Sequence, residues 1–104
     1  MKEYKVYFIE QESRSKDKPV KIGVSCDVES RLSKLQTGNP YKLSVKAIFP
    51  CKDQEEAFMI ERTLHWLTKK KYRHIRGEWF FIYGSWAKLI KEAMVCCYSK
   101  EKSK

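Results

Sequence analysis

The sequence contains no apolar run approaching the roughly 20 residues of a membrane-spanning helix, and residues 1–4 do not open the apolar segment of a secretory signal peptide. We therefore expect an intracellular protein, cytoplasmic or nuclear, that is not secreted. Internal repeats and changes of composition that would mark a domain boundary are also missing. A single domain over residues 1–99 is predicted, followed by a basic tail at 100–104 that we expect to be disordered.

The four cysteines, Cys26, Cys51, Cys96 and Cys97, lack the spacing of a metal site, and no C-x-x-C pair occurs. The even count permits disulfides, but nothing else in the sequence indicates secretion. Free, mostly buried thiols are the simplest expectation. A Cys/His zinc site is the alternative.

Acidic residues are fewer than basic residues in this chain. Thirteen Asp and Glu stand against 22 Lys and Arg, which gives a formal net charge of +9. Such a charge on a small chain favours a polyanionic partner, with nucleic acid first, although a basic protein that is merely soluble is the alternative. A membrane surface is a poor partner, because the positive charge is spread along the chain instead of lying on one face of an amphipathic helix.

Two apolar segments near the N-terminus have the composition of strands. Residues 4–9 and 20–24 are rich in aromatic and β-branched side chains, and we expect them to pair as an antiparallel hairpin. Alternation along each strand then places Tyr7 and Lys21 on one face, opposite the apolar set. Gly23 lies on that same face, where its missing Cβ lets another group approach the backbone.

A helix and a third strand follow. Asp27 is a predicted N-cap, and Gly38 ends the helix. Arg31 flanks the apolar stripe of this helix, where its guanidinium either reaches over the sheet or only covers the rim. Residues 41–49 alternate strictly and predict a strand. Its inward-facing side chains are expected to be Leu43, Val45, Ala47 and Phe49.

The second helix is predicted from a capping box, Asp53 with Glu56, to about residue 70. Its apolar stripe comprises Ala57, Ile60, Leu64 and Leu67. Glu61 falls within that stripe, and a carboxylate there is usually paired with an arginine or bound to a metal; a misjudged helix rotation is the third possibility. His65 lies one turn further and either shares this site or is structural.

The C-terminal part begins with a basic run. Residues 69–74 suit phosphate and base contacts, or simply complement the dipole at a helix end. A turn and a short aromatic strand are predicted within 76–82, with Glu78 as a second candidate carboxylate. Ser85 is the predicted cap of a last helix. The apolar stripe of that helix comprises Trp86, Leu89, Ile90, Ala93, Met94 and Cys97.

Several motifs occur in a fixed order. After Tyr7 come Lys21-Ile22-Gly23, Arg31, Leu-Gln-Thr-Gly-Asn-Pro at 35–40, Glu-Arg-x-Leu-His at 61–65 and Arg-Gly-Glu-Trp-Phe at 76–80. Together they resemble the GIY-YIG nuclease superfamily over residues 4–82. The likeness is to the short phage- and virus-type branch in which KIG replaces YIG.

That resemblance implies a small α/β sandwich of the α+β type, with a three-stranded antiparallel sheet flanked by helices. It also implies a metal-dependent endonuclease that uses one Mg²⁺ or Mn²⁺. Tyr7 would act as general base or orient the water, and Lys21, at the position of a second tyrosine, would favour ionisation of that phenol. Arg31 would stabilise the negative charge of the phosphorane, and Glu61 would bind the metal. His65 would replace a histidine that many members place after the arginine and that this chain lacks.

Three functions are compatible with these features. The first is a DNA endonuclease, with RNA not excluded as substrate, and the second is a catalytically inactive nucleic-acid-binding protein of the same fold. The third is a small viral or mobile-element protein that acts through protein contacts of the helix at 86–94, including a possible homodimer. The predicted nucleic-acid contacts are Lys69, Lys70, Lys71, Tyr72, Arg73 and Arg76.

Overall fold

The chain forms one antiparallel sheet with helices on both faces. The computed structural model describes residues 3–13, 18–71, 73–76, 79–81, 88–93 and 95, with only the backbone at residues 71, 73, 74, 76 and 81. The elements in chain order are β1 (Lys5–Gln11), β2 (Pro19–Ser25), α1 (Val28–Gln36), β3 (Leu43–Pro50), α2 (Gln54–Lys71), β4 (Arg73–Arg76) and β5 (Trp79–Phe81). Residues 88–93 are also helical. The predicted α+β class is confirmed.

The sheet has five strands in the order β3-β1-β2-β5-β4, and each neighbouring pair is antiparallel. The expected three-stranded sheet is therefore too small. The unpredicted strand is β4, which starts within the basic run that we expected to end a helix. It pairs with β5, the predicted aromatic strand, and this pairing satisfies backbone groups that a frayed helix end would leave to water.

The two faces of the sheet have separate apolar layers. β1 and β2 alternate as predicted, so that one set of side chains lies under α2 and the helical residues 88–93, and the other lies under α1. The first layer includes Val6, Phe8, Val20, Ile22, Ile60, Leu64, Phe80 and Leu89. The second contains Tyr7, Ile9, Val28 and Leu43. β1 therefore contributes side chains to both layers.

A β-bulge changes the pattern of β3. Phe8 pairs with Ala47 and Ile9 pairs with Val45, so Lys46 is one extra residue between them. Leu43 and Val45 consequently pack under α1, whereas Ala47 and Phe49 pack under α2. The prediction that these four side chains share one face was wrong, because a one-residue insertion reverses the orientation of every residue beyond it.

Both helix starts are confirmed in atomic detail. The backbone N–H of Ser30 donates to the Asp27 carboxylate at 3.0 Å, and that of Glu56 donates to Asp53 at 2.8 Å. Gly38 follows α1 with a φ of 81°, a backbone conformation that favours glycine. Polar side chains at the two helix starts thus fix where α1 and α2 begin relative to the sheet.

The last helix is described only in part. Leu89 and Ala93 are buried against the α2 side of the sheet, as their stripe predicts, and Ile90 is half-buried. Ser85, Trp86, Met94 and Cys97 lie outside the described residues, as does the tail at 100–104. Within the described part of the chain, no helix has the length and apolar character needed to cross a bilayer.

Candidate functional site

Tyr7 lies directly over Gly23. The two residues are register partners in β1 and β2, and Tyr7 is only 1% exposed. A Cβ built on Gly23 would lie 2.5 Å from Cζ of Tyr7 and 3.0 Å from its Cε2, which no side chain tolerates. The close approach predicted at Gly23 is therefore made by the tyrosine ring itself. The glycine is what allows the phenol to lie flat on the sheet.

Lys21 shares the face of Tyr7, as predicted, but as a diagonal neighbour. Its direct partners are Ile9 on β1 and Trp79 on β5. The Lys21 side chain is buried, and its Nζ lies 5.9 Å from the centre of the Trp79 ring, near the outer limit of a cation–π contact. Sequence reasoning missed Trp79 as a neighbour of the site. Only the pairing register of β5 could have indicated it.

Arg31 lies on α1, on the same side of the sheet as Tyr7, and is exposed to solvent. α1 covers Tyr7 through Val28, the first helical residue, and Arg31 follows almost one turn later in an exposed position. This exposure is compatible with the rim position predicted for Arg31. Its guanidinium provides an exposed cation on the helix that packs against the buried Tyr7.

Glu61 and His65 belong to the helix on the other face. The His65 ring packs edge-on against Phe80, with centroids 5.3 Å apart, and its Nε2 lies 3.0 Å from the carbonyl oxygen of Ile22. Ile22 comes directly after residues 19–21 of β2, which pair with β5. Glu61 is half-buried one turn earlier, about 6 Å along the helix axis. The structure therefore brings His65 to β2 on the face under α2, while Tyr7 and Lys21 lie on the opposite face, and it does not bring Glu61 together with Tyr7 and Lys21 on one face.

The described residues contain no group of three or more His, Cys, Asp and Glu side chains that would hold a metal ion. The zinc alternative has no support there. Cys26 is an exposed free thiol and Cys51 a buried one, while Cys96 and Cys97 lie outside the described residues. Burial, reinforced by the nearby Glu56 carboxylate, raises the pKa of the Cys51 thiol to about 11. Cys51 is therefore a packing residue and not a nucleophile.

The basic run is divided between α2 and β4. Lys69 and Lys70 are exposed on the last turns of α2. The side chains of Lys71, Arg73 and Arg76 are not among those described, and Tyr72 and Glu78 lie outside the described residues. Their predicted roles stay predictions.

A shallow depression of about 400 Å³ lies between α1 and the start of β3. Its lining combines polar and apolar side chains from both elements, but none of the predicted site residues. The lining residues are Glu29, Leu32, Ser33, Gln36, Thr37 and Leu43. This depression therefore does not identify the site, which is organised around β2.

Comparison with known proteins identifies a family. The model of the T5orf172 domain matches residues 4–96. No curated protein and no solved structure matches the chain. The assignment to the GIY-YIG nuclease superfamily was therefore wrong, since the matching model is that of a different family. The motifs that carried it have structural roles that unrelated folds can share: Gly23 accommodates Tyr7, Gly38 adopts a positive φ, and His65 contacts the β2 backbone.

Proposed function

The chain belongs to the T5orf172 domain family, and we propose that it is a metal-dependent endonuclease that hydrolyses phosphodiester bonds in DNA with a single divalent ion. The family name states no reaction, so the proposal rests on the chemistry of the site. The observation that carries it is a set of polar residues on both faces of the sheet: Tyr7 and Lys21 are buried on one face, and α2 places the half-buried Glu61 on the other.

Electrostatics supports a polyanionic substrate. The net charge of +9 attracts a phosphate backbone. Arg31 presents its guanidinium to solvent, where it can donate two parallel hydrogen bonds to one phosphate. A phosphate held there would lie on the side of the sheet that contains Tyr7 and Lys21.

Glu61 fits a site for Mg²⁺ or Mn²⁺. Mg²⁺ is commonly held by one or two carboxylates, with water and substrate phosphate oxygens as its other ligands, so a single half-buried glutamate is a sufficient protein contribution. When bound, such an ion neutralises charge on the phosphate and stabilises the leaving oxygen. His65 acts as a positioning residue, because its contact with the Ile22 carbonyl fixes the turn of α2 that carries Glu61.

The burial of Tyr7 supports one of its two predicted roles, orientation of the attacking water. A side chain that is 1% exposed cannot contact a polymer directly, but it can hold one ordered water molecule. We therefore assign Tyr7 to orienting the attacking water. Lys21, its diagonal neighbour, places a positive charge in the same layer and so stabilises the negative charge that develops during attack.

The test is nicking of supercoiled plasmid in Mg²⁺ or Mn²⁺, with EDTA as the blank. We expect the wild type to cleave and Glu61→Gln to cleave at least about 100-fold more slowly, because losing the metal ligand removes several kcal/mol of transition-state stabilisation. The matched control is Glu55→Gln, which neutralises an exposed carboxylate on the same helix. Equal rates for wild type and Glu61→Gln would refute Glu61 as the ligand.

A nucleic-acid-binding protein without turnover is the second candidate. It is favoured by the net charge of +9, which attracts a phosphate backbone whether or not a bond is cleaved. Binding that weakens steeply with salt, without cleavage in any divalent metal, would select this function. Either function is proposed for an intracellular protein, which the free thiols of Cys26 and Cys51 support.

A further inference from the structure

The outer face of α2 carries a regular row of aromatic and basic side chains. Phe58, Arg62, Trp66 and Lys70 recur at four-residue intervals and are all exposed; we call this row the α2 stripe. With a rise of 1.5 Å per residue, neighbours are about 6 Å apart along the axis and the row spans about 18 Å. The residues that face the sheet are a different set, Ala57, Ile60, Leu64 and Leu67. The stripe residues therefore take no part in the packing of the hydrophobic core.

The aromatic members present large surfaces to solvent. Trp66 is 54% exposed and Phe58 is 43% exposed. The ammonium of Lys70 lies over the Trp66 ring, 3.9 Å from its centroid, in a close cation–π contact. A base that stacks on this face would displace the lysine by a short distance and leave its charge beside the attached phosphate. Trp66 and Lys70 thus present an aromatic surface and a positive charge at the same place on α2.

The exposed charge along the stripe is mostly positive. From Phe58 onward, the exposed side chains among those described in α2 are the stripe residues and Lys69, none of them acidic; Glu55 lies one turn before Phe58, and Glu61 is half-buried. Among the described residues, no carboxylate forms an ion pair with Arg62 or Lys70. A partner with an acidic backbone is therefore favoured, whereas a second copy of this basic face would be repelled.

We propose that the α2 stripe binds single-stranded nucleic acid. Bases stack on Phe58 and Trp66, and the phosphates between them lie against Arg62 and Lys70. Stacking requires bases that are not already stacked within a duplex, and it tolerates any sequence because every base has a π-face. The inference goes beyond the proposed function, since it concerns the side of α2 that faces away from the core and involves no bond cleavage.

The test is fluorescence anisotropy of a labelled oligothymidylate of about 20 nucleotides, titrated with the full chain in EDTA. Trp66→Leu is expected to bind about 5- to 100-fold more weakly, the effect of losing one base–aromatic stack. The matched control is Tyr41→Leu, because Tyr41 is 56% exposed but lies outside the stripe. Phe58→Leu should weaken binding in the same direction as Trp66→Leu.

The electrostatic part is tested by salt dependence. Arg62→Gln should lower the slope of log affinity against log salt by about 0.7, the value for one phosphate contact on a single strand. Lys34→Gln, which removes an exposed helical cation from α1, should lower the slope less. If the stripe only attracted phosphate, the chain would bind a duplex of equal length as tightly as the single strand. Equal affinity for the two would overturn the stacking proposal.

Two further results would contradict the inference. One is equal loss of affinity in Trp66→Leu and Tyr41→Leu. The other is self-association of the wild type in sedimentation that Trp66→Leu abolishes, which would identify the stripe as a contact between copies. Because the titration contains EDTA, none of these outcomes depends on whether Glu61 binds a metal or on whether DNA is cleaved.

Discussion

Replacement of Gly23 by alanine tests the geometry on which the site is built. The added Cβ would lie 2.5 Å from Cζ of Tyr7, and the ring is buried, so it cannot move away into solvent. Overpacking of this kind costs about 1–3 kcal/mol, which exceeds the roughly 0.5–1 kcal/mol that alanine gains over glycine within a strand. We therefore expect Gly23→Ala to lower the melting temperature by about 5–20 °C.

The assay is thermal and urea unfolding of a double-mutant cycle. In Tyr7→Phe the Cζ atom remains, so Gly23→Ala should still be costly. In Tyr7→Leu the outer ring atoms are gone, and the same substitution should become neutral or slightly stabilising. The coupling between Gly23→Ala and Tyr7→Leu is thus expected to be about 2 kcal/mol, within the range observed for residues in contact.

Gly38→Ala is the control for this cycle. No atom lies within 4 Å of a Cβ at Gly38, and its cost of about 1–2 kcal/mol comes from the φ of 81°. That cost should be the same whichever residue occupies position 7. If Gly23→Ala is equally destabilising beside tyrosine, phenylalanine and leucine, the contact between Tyr7 and Gly23 does not hold the phenol in place, and the reasoning about the site fails.

Four further outcomes are expected. Asp53→Ala removes the N-cap of α2 and should lower the free energy of unfolding by about 1 kcal/mol, measured by urea denaturation. Native protein at about pH 8 should be alkylated at the exposed Cys26 and not at Cys51, as read by mass spectrometry. Because the pKa of Cys51 rises from 9.0 to about 11 on folding, stability should fall between these pH values, where only the unfolded thiol ionises. His65→Leu leaves the Ile22 carbonyl without the His65 contact and should cost about 1–2 kcal/mol, whereas His65→Gln, which can still donate, should recover part of that loss.

Local sequence patterns correctly predicted the features that are set by residues close together in the chain. Asp27 and Asp53 were recognised as caps because the cap bonds lie within three residues of them. The alternation of β1 assigned Tyr7 to the correct face. The bulge at Lys46 could not be predicted, because it depends on how β3 pairs with β1 and not on the composition of β3. The strand β4 was missed for the same reason.

The sequence placed Tyr7 and Lys21 on one face, but the contacts around them depend on the tertiary structure. Lys21 and Tyr7 share a face as expected, but the pairing register sets them diagonally and brings Trp79 beside the lysine. His65 was assigned to the site by its spacing from Glu61, whereas its contact with the Ile22 carbonyl depends on the packing of α2 across the sheet. Such contacts are set by tertiary structure, and no sequence motif encodes them.

The most direct test of the proposed function is the stoichiometry of Mn²⁺ binding, measured by electron paramagnetic resonance of the free ion in the presence of a short DNA duplex. One ion per chain is predicted for the wild type and for Glu55→Gln, and Glu61→Gln should lose it. Binding of one ion that persists unchanged in Glu61→Gln would place the metal elsewhere. The absence of any bound ion in the wild type would contradict a one-metal endonuclease.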